Sequence, residues 1–450
     1  MSLNSSTLGS SRRLEDSTVK FPSKRLYKHP MPAQAKLVNP RRVLDRSEMV
    51  AGSNSSRSGS LQISSSHCAP RAPGLSSVRV TYIIDHLCNI RAGGEQALFR
   101  ILRHLPRDRF QPSVVTFGVK PESVRLLREL ACPLHVFPLE RTYDWNGVKE
   151  AFRLRNLLTA ERPSIVHTFF ETSNIWGGLI SKLSFGPKLV SSRRDMGVLR
   201  STKHRWAYKL INVLADRVLA VSEEVRRFCI EQDGVAADKV FVAYNGVDLA
   251  LADRSKSNPS VRQNFGLEHA SHIVTVVANI RRVKALDVFI KAAAMVRPDF
   301  PSAAFVIAGW PNEPQYLTEL RRLVADLGLQ DNVFFLGEVE DIFPLLKVSD
   351  AFCLLSRSEG FSNALLEAMA CRLPCVATRT GGNAEAIADG QNGYLVAVED
   401  AEAAAHRVRL ILESQELAIR LGQEARKTIE SRFTAEHMIG QLTQCYRGLL

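Results

Sequence analysis

The chain has 450 residues, 45% of them hydrophobic, which is long and apolar enough for two or three domains with full cores. Its net charge of +13 is uneven, because residues 1–76 hold 12 Lys and Arg against 4 Asp and Glu. The mildly basic remainder argues against a nucleic-acid-binding core, and no apolar run of about 18 residues argues for a membrane-spanning helix.

Residues 1–76 are rich in Ser, Arg and Pro, with little periodicity, and are expected to be a disordered basic tail. The opening MSLNSSTLGSSRR lacks the apolar centre of a secretory signal. Order is expected from Val78, where VRVTYIIDHL reads as the first strand of a parallel sheet. It leads through Arg91-Ala92-Gly93-Gly94-Glu95 into a helix with Ala97, Leu98, Ile101, Leu102 and Leu105 on one side. A Gly-Gly turn at a helix start presents backbone amides suited to phosphate. Further strands are expected at PSVVTF, LHVFPL, SIVHTF, KLVSS, RVLAV and KVFVA, with helices between most of them. This alternation predicts a doubly wound α/β domain over residues 77–252.

Two strand ends in that span carry polar residues. His167 closes one, where it is either a core histidine or a ligand-facing one. Arg193 and Arg194 follow KLVSS, placed to meet a phosphate or an acidic acceptor, or to pair with Asp195. Ser222-Glu223-Glu224 is a helix-start pattern, and Asn245-Gly246 a tight turn. The polar linker LADRSKSNPS precedes a second α/β domain, expected over residues 253–433 with strands HIVTVVAN, AAFVIAG, NVFFLG, DAFCLL, PCVAT and GYLVAV. Between the first two stands Arg281-Arg282-Val283-Lys284. Residues 400–430 and 434–450 read as helical.

The densest chemistry lies in residues 356–393, SRSEGFSNALLEAMACRLPCVATRTGGNAEAIADGQNG. Glu359 stands on a loop with Gly360 and Phe361, and Ser362 or Asn363 can cap the helix that follows. A helix N-terminus behind a Gly turn suits phosphate. Glu367, one turn further in, can then reach the hydroxyls of a sugar.

This run closely resembles the donor signature of retaining glycosyltransferases of family 4, which have the GT-B fold of two Rossmann-like domains facing across a cleft. The matching residues are Glu359 to Glu367, Pro374 to Thr378, Gly381-Gly382-Asn383-Ala384-Glu385, and Gly390 with Gly393. The resemblance implies that Glu367 holds the ribose of a nucleotide diphosphate sugar and that Glu359 contacts the transferred sugar. It implies a catalytic pair of cations on the departing diphosphate, Lys284 with Arg281 ahead of Arg282. Amides near Gly93–Gly94 and Gly360–Phe361 would assist. Ser362 and Asn363 belong to the same donor loop, and Gly337 with the segment after it would lie against the base. Tyr244-Asn245-Gly246-Val247-Asp248 matches the segment that ends the first domain. His167 matches the first histidine of the family's H-x-H and is expected among the catalytic residues with Glu359, Lys284 and Arg281, but Phe169 stands at the second. Ala285 replaces the usual glycine after Lys284. The terminal helix, 434–450, is expected to return to the first domain.

Hexosyl transfer to a glycan or lipid-linked acceptor, as in polysaccharide biosynthesis, is therefore the expected function, with no metal and no cofactor. A sugar-nucleotide epimerase and a catalytically silent nucleotide-sugar-binding protein are the alternatives. Nucleic acid is not an expected partner, while peripheral contact with an anionic membrane is. Of eight cysteines only Cys371 and Cys375 are close, and no second pair completes a zinc site. Free thiols point to the cytoplasm, with peripheral attachment at the inner membrane face.

Overall fold

The computed structural model describes residues 77–184, 186–197, 202–255 and 259–450. The expectations for residues 1–76 therefore lie outside the described residues. Two all-parallel sheets form the framework. The first has seven strands: β1 (Val78–Leu87), β2 (Phe110–Val119), β3 (Leu134–Val136), β4 (Ile165–Phe169), β5 (Lys188–Arg193), β6 (Arg217–Ala220) and β7 (Val240–Val242), in the order β3-β2-β1-β4-β5-β6-β7. The second has six: β8 (Ile273–Val277), β9 (Ala304–Ala308), β10 (Val333–Gly337), β11 (Ala351–Leu354), β12 (Cys375–Thr378) and β13 (Tyr394–Val396), in the order β10-β9-β8-β11-β12-β13. Every expected strand forms. Helices cover both faces of each sheet, so the strands are buried on both sides and read as continuous apolar runs.

Both sheets reverse direction once, between β1 and β4 and between β8 and β11. Ligands of open α/β sheets bind beyond the carboxyl ends of strands at such a reversal. The two α/β halves and their reversals give the GT-B fold.

The region expected to be helical over 400–430 is two helices, Ala401–Glu413 and Gln415–Arg432. Ser414 breaks the run and caps the second, accepting from Leu417 N at 3.2 Å. The last helix, Ala435–Arg447, packs Met438, Ile439, Leu442, Cys445 and Tyr446 into the core around β1. Gly246 fits beneath its start, since a Cβ there would stand 2.2 Å from Thr434 O. Among the described residues, no helix is long and apolar enough to cross a membrane. Cys132, Cys353, Cys371, Cys375 and Cys445 are free and buried, Cys229 is buried, and Cys88 is free and half-buried.

Candidate active site

The loops after β1, β4, β5, β8 and β11 converge on one cleft of about 730 Å³. On the second-sheet side the chain leaves β8 and makes a single tight turn, Arg282–Lys284, before the helix Leu286–Val296. Ala285, between them, has φ +48°. A left-handed residue with a Cβ costs about 1–2 kcal/mol, which explains why glycine suits this position better. Lys284 Nζ donates to Glu359 Oε1 at 2.7 Å, and Ser356 Oγ donates to the same oxygen at 2.6 Å. Arg357 ties the two loops together: its N–H reaches Val283 O at 2.8 Å and its guanidinium reaches Asp287 Oδ2 at 3.0 Å. Lys284 and Glu359 thus reach the cleft as a positioned pair.

Arg281 also lines the cleft, with Nε 3.6 Å from Glu313. Arg282 turns outward, pairs with Glu319 and lies 5.1 Å over the Tyr316 ring. Of the two arginines, Arg281 is the one that lines the cleft with Lys284.

Gly360 occurs where the two halves touch, because a Cβ on it would stand 2.1 Å from Arg194 O. The Phe361 ring is buried, 5.2 Å from Tyr244 and 5.1 Å from Phe433, so only its backbone is left for a ligand. Ser362 is the cap of the helix Asn363–Ala370, accepting from Leu365 N at 3.4 Å. Asn363 is not a cap; its side-chain amide donates to Gly93 O at 3.0 Å and Gln96 Oε1 at 2.9 Å. Glu367 is 4% exposed and accepts from Gln96 Nε2 at 2.8 Å and Arg100 at 3.1 Å. Burial raises its carboxyl pKa, and the Arg100 charge opposes the rise.

Gln96 and Arg100 come from the first helix of the other half, Gly93–His104. That helix starts at Gly93 with no side-chain cap on its first amides. Gly94 is required by the Phe170 ring, whose Cζ would stand 2.0 Å from a Cβ. Phe170 itself is held at φ +67°, just after β4. The loop before the helix is clasped to the second half by Arg91, which donates to Glu340 O at 3.2 Å and lies 3.7 Å from Glu338. Gly337 ends β10 at φ +69°, and Glu338, Val339 and Glu340, just after it, line the cleft.

His167 is corrected. Its ring is fully buried, with Nδ1 2.7 Å from Tyr446 Oη and Nε2 2.7 Å from Ser192 Oγ. Burial, then the nearby Arg194, pushes its pKa down to about 3, so it is a neutral core residue and not a catalytic one. The terminal helix that supplies Tyr446 lies 279 residues away, so no local pattern revealed it. Phe169 is buried beside it, ring centroids 4.7 Å apart.

The two neighbouring arginines separate. Arg193 also borders the cleft but is 1% exposed, with its guanidinium bonded to Ser191 and Asn212 and stacked 4.4 Å over Tyr208. Arg194 lines the cleft, donates to Asn245 Oδ1 at 2.7 Å and lies 5.8 Å over Phe169. Burial and then the Arg100 charge pull its pKa down to about 10, so anionic character in the cleft would be welcome beside it.

Sequence reasoning missed Gln96, Arg100 and Glu95, which sit on the expected helix but off its apolar side. It read Glu385 only as a motif letter. That carboxylate crosses between halves to accept from Glu223 N at 2.9 Å, Glu224 N at 3.0 Å and Tyr244 Oη at 2.8 Å, so it supports the start of the helix Glu223–Glu231.

Glu95 offers a pH test. It is 8% exposed and accepts from Asn89 N at 2.6 Å, and burial pushes its pKa up to about 7. The folded state therefore holds this proton more tightly than the unfolded chain. The stabilising share is full below the unfolded pKa and is lost as pH rises through about 7. Glu95→Gln is expected to keep the Asn89 bond and flatten that fall. Parallel Tm–pH curves for the two proteins from pH 5 to 8 would contradict it.

Among the described residues there is no cluster of three or more His, Cys, Asp or Glu able to hold a metal. Residues 91–251 match the "Glycosyltransferase Family 4" model and residues 257–428 the "Glycosyl transferases group 1" model. The chain is 32% identical over 207 residues to N-acetyl-alpha-D-glucosaminyl L-malate synthase of Bacillus anthracis, covering 46% of this chain and 53% of that protein. It thus spans about half the length of that relative. It is 26% identical to the Escherichia coli UDP-Gal:alpha-D-GlcNAc-diphosphoundecaprenol alpha-1,3-galactosyltransferase, over 66% of this chain and 79% of that one. Anabaena HepE, crystallised in complex with UDP, has a similar fold with a TM-score of 0.71 at 23% identity, over 82% of this chain and 100% of that one. With both halves matched and the two-sheet cleft in place, the chain belongs to glycosyltransferase family 4, of GT-B fold.

Proposed function

We propose that the protein transfers a hexose from a nucleotide diphosphate sugar to a glycan or lipid-linked acceptor, with retention at the anomeric carbon. Residues 253–433 supply the donor side and residues 77–252 the acceptor side. The observation that carries this reading is the convergence on one cleft of Lys284 paired with Glu359, Glu367 one helical turn further in, and the uncapped helix start at Gly93. Lys284 and Arg281 stabilise charge growing on the leaving diphosphate, and main-chain amides at Gly93–Gly94 and Gly360–Phe361 assist without a metal. Glu367 binds the ribose hydroxyls and Glu359 the transferred sugar. A departing phosphate oxygen takes the acceptor's proton, so no side chain is assigned as general base. Closure of the halves excludes water from the activated sugar.

An acceptor held at a membrane is supported by the E. coli relative, whose name specifies a diphosphoundecaprenol acceptor. Peripheral attachment at the inner membrane face follows from it.

The direct test is thermal stabilisation by UDP-, GDP- and ADP-sugars. A donor at about 100 times its Kd adds about 2.7 kcal/mol and should raise Tm by several degrees. No shift with any of them would remove the reading. A silent donor-binding protein is the second reading, favoured by the buried Phe169 where the family has a histidine. It would show the Tm shift with no transfer to any acceptor.

A further inference from the structure

We propose that the outward face of three neighbouring helices in the first half docks on an anionic lipid bilayer. The helices are Trp145–Glu161, Gly178–Lys182 and Thr202–Leu214. They connect β3 to β4, β4 to β5 and β5 to β6, which all step the same way across the sheet. Right-handed crossovers therefore put all three on one face. Arg155 Nε donates to Leu183 O at 3.2 Å and ties the first helix to the end of the second.

Each long helix already buries one apolar side, through Leu154 and Leu158 in one and Ile211 in the other. Their opposite sides should then be polar. Instead Trp145 and Phe152 are 84% and 61% exposed, and Trp206, Leu210 and Val213 are 68%, 51% and 73% exposed. The spacings keep each set on one outward stripe. Leu183, 57% exposed, lies at the end of the short helix between them. Trp145 and Trp206 fall near the starts of their helices, hence at the carboxyl edge of the sheet, where the cleft opens.

Charge selects the occupant. Arg205 and Lys209 are exposed on a helix with no Asp or Glu, and Lys209 Nζ stands 4.6 Å from the Trp206 ring centroid. Lys149 is exposed on the other stripe. Of the carboxylates beside these helices, Glu150 is paired with Arg153, Asp216 with Lys182 and Glu161 with His135, and Asp144 caps the first helix. Residues 1–76, with 12 Lys and Arg against 4 Asp and Glu, have the same sign and are not the complement. A second copy on a two-fold axis would set the same cations against one another. Exposed tryptophans with basic neighbours match the headgroup level of an anionic bilayer. The inference rests on the membrane-held acceptor proposed above, and places that membrane beside the cleft; the transfer chemistry does not depend on it.

The test is co-sedimentation of the full chain with phosphatidylcholine vesicles, with and without phosphatidylglycerol. The comparison protein carries Trp145→Ser, Phe152→Ser, Trp206→Ser and Val213→Ser, all surface changes at residues that do not line the cleft. Wild type should bind the phosphatidylglycerol vesicles well above the neutral ones, less so in high salt. The variant should lose at least about tenfold in partitioning, given the apolar area removed. The Tm shift produced by whichever of the UDP-, GDP- and ADP-sugars stabilises wild type should be the same in both proteins, which shows that the variant is folded and keeps the donor question separate. Equal partitioning of the two proteins, or wild type left in the supernatant, overturns the proposal. So does self-association in sedimentation velocity that the variant abolishes while vesicle binding persists. Absence of a shift with every one of the UDP-, GDP- and ADP-sugars in both proteins would instead count against the donor reading.

Discussion

Lys284→Ala is expected to lower donor-dependent transfer by about 10²–10³-fold, the usual cost of removing one preorganised group that meets charge developing in the transition state. Lys284 is positioned for this by the Glu359 contact at 2.7 Å and by Arg357, which holds the backbone on both sides of the pair. Its side chain is 24% exposed, so removal should leave folding largely intact. Arg281→Ala should cost less, about tenfold, because Arg281 is 38% exposed and part of its charge is engaged by Glu313. Lys284→Arg should not restore full rate, since a planar fork cannot replace a compact ammonium at a site built around one carboxylate oxygen. Initial rates at saturating donor, with Tm measured alongside, check the set. A Lys284→Ala rate within about threefold of wild type at unchanged Tm would remove the leaving-group role.

What could be read from the chain depended on how local the cause was. Strands such as PSVVTF and AAFVIAG announce themselves because both faces are covered, so alternation gives way to unbroken apolar runs. The loop and helix that carry Glu359, Gly360, Ser362 and Glu367 were legible because one turn and one helix fix them. Residues whose role comes from a distant partner were not. His167 looks the same in sequence whether its ring meets a sugar or Tyr446, and only the return of the terminal helix decides. Arg100 and Gln96 resemble the solvated side of a helix; Arg100 is buried and Gln96 half-buried because Glu367, more than 260 residues on, lies opposite. Glu385 belonged to a readable motif, yet the helix start it supports lies in the other half. Ala285 shows the opposite case, where the departure from glycine was visible but its meaning required the φ of +48°.

Those distant pairs change what the simplest site variant will do. Glu367→Ala is expected to lose both donor binding and stability. The carboxylate is the charged partner of Arg100, which is 7% exposed, and a stranded buried guanidinium costs about 3–5 kcal/mol. The pair is not symmetrical. An arginine cannot discharge itself, whereas a carboxyl can take up a proton. Burial already raises the Glu367 pKa, and removing Arg100 takes away the largest effect holding it down. Arg100→Ala should therefore cost less than Glu367→Ala near neutral pH, and its penalty should grow as pH rises. The sign follows from linkage: a carboxyl whose folded pKa lies above its unfolded value gives up stability as pH climbs through the folded pKa. The double variant should be more stable than the sum of the single losses, with a coupling of about 0.5–3 kcal/mol. Urea unfolding of the four proteins at pH 5.5 and pH 8, with UDP titrations beside it, separates the two functions of Glu367. The double variant should recover stability but not donor affinity, because the ribose contact proposed for Glu367 would be lost with the carboxylate. If Glu367→Ala unfolds like wild type, and Arg100→Ala costs the same at both pH values, Arg100 does not carry the charge balance of the cleft. If the double variant binds UDP like wild type, Glu367 does not hold the ribose.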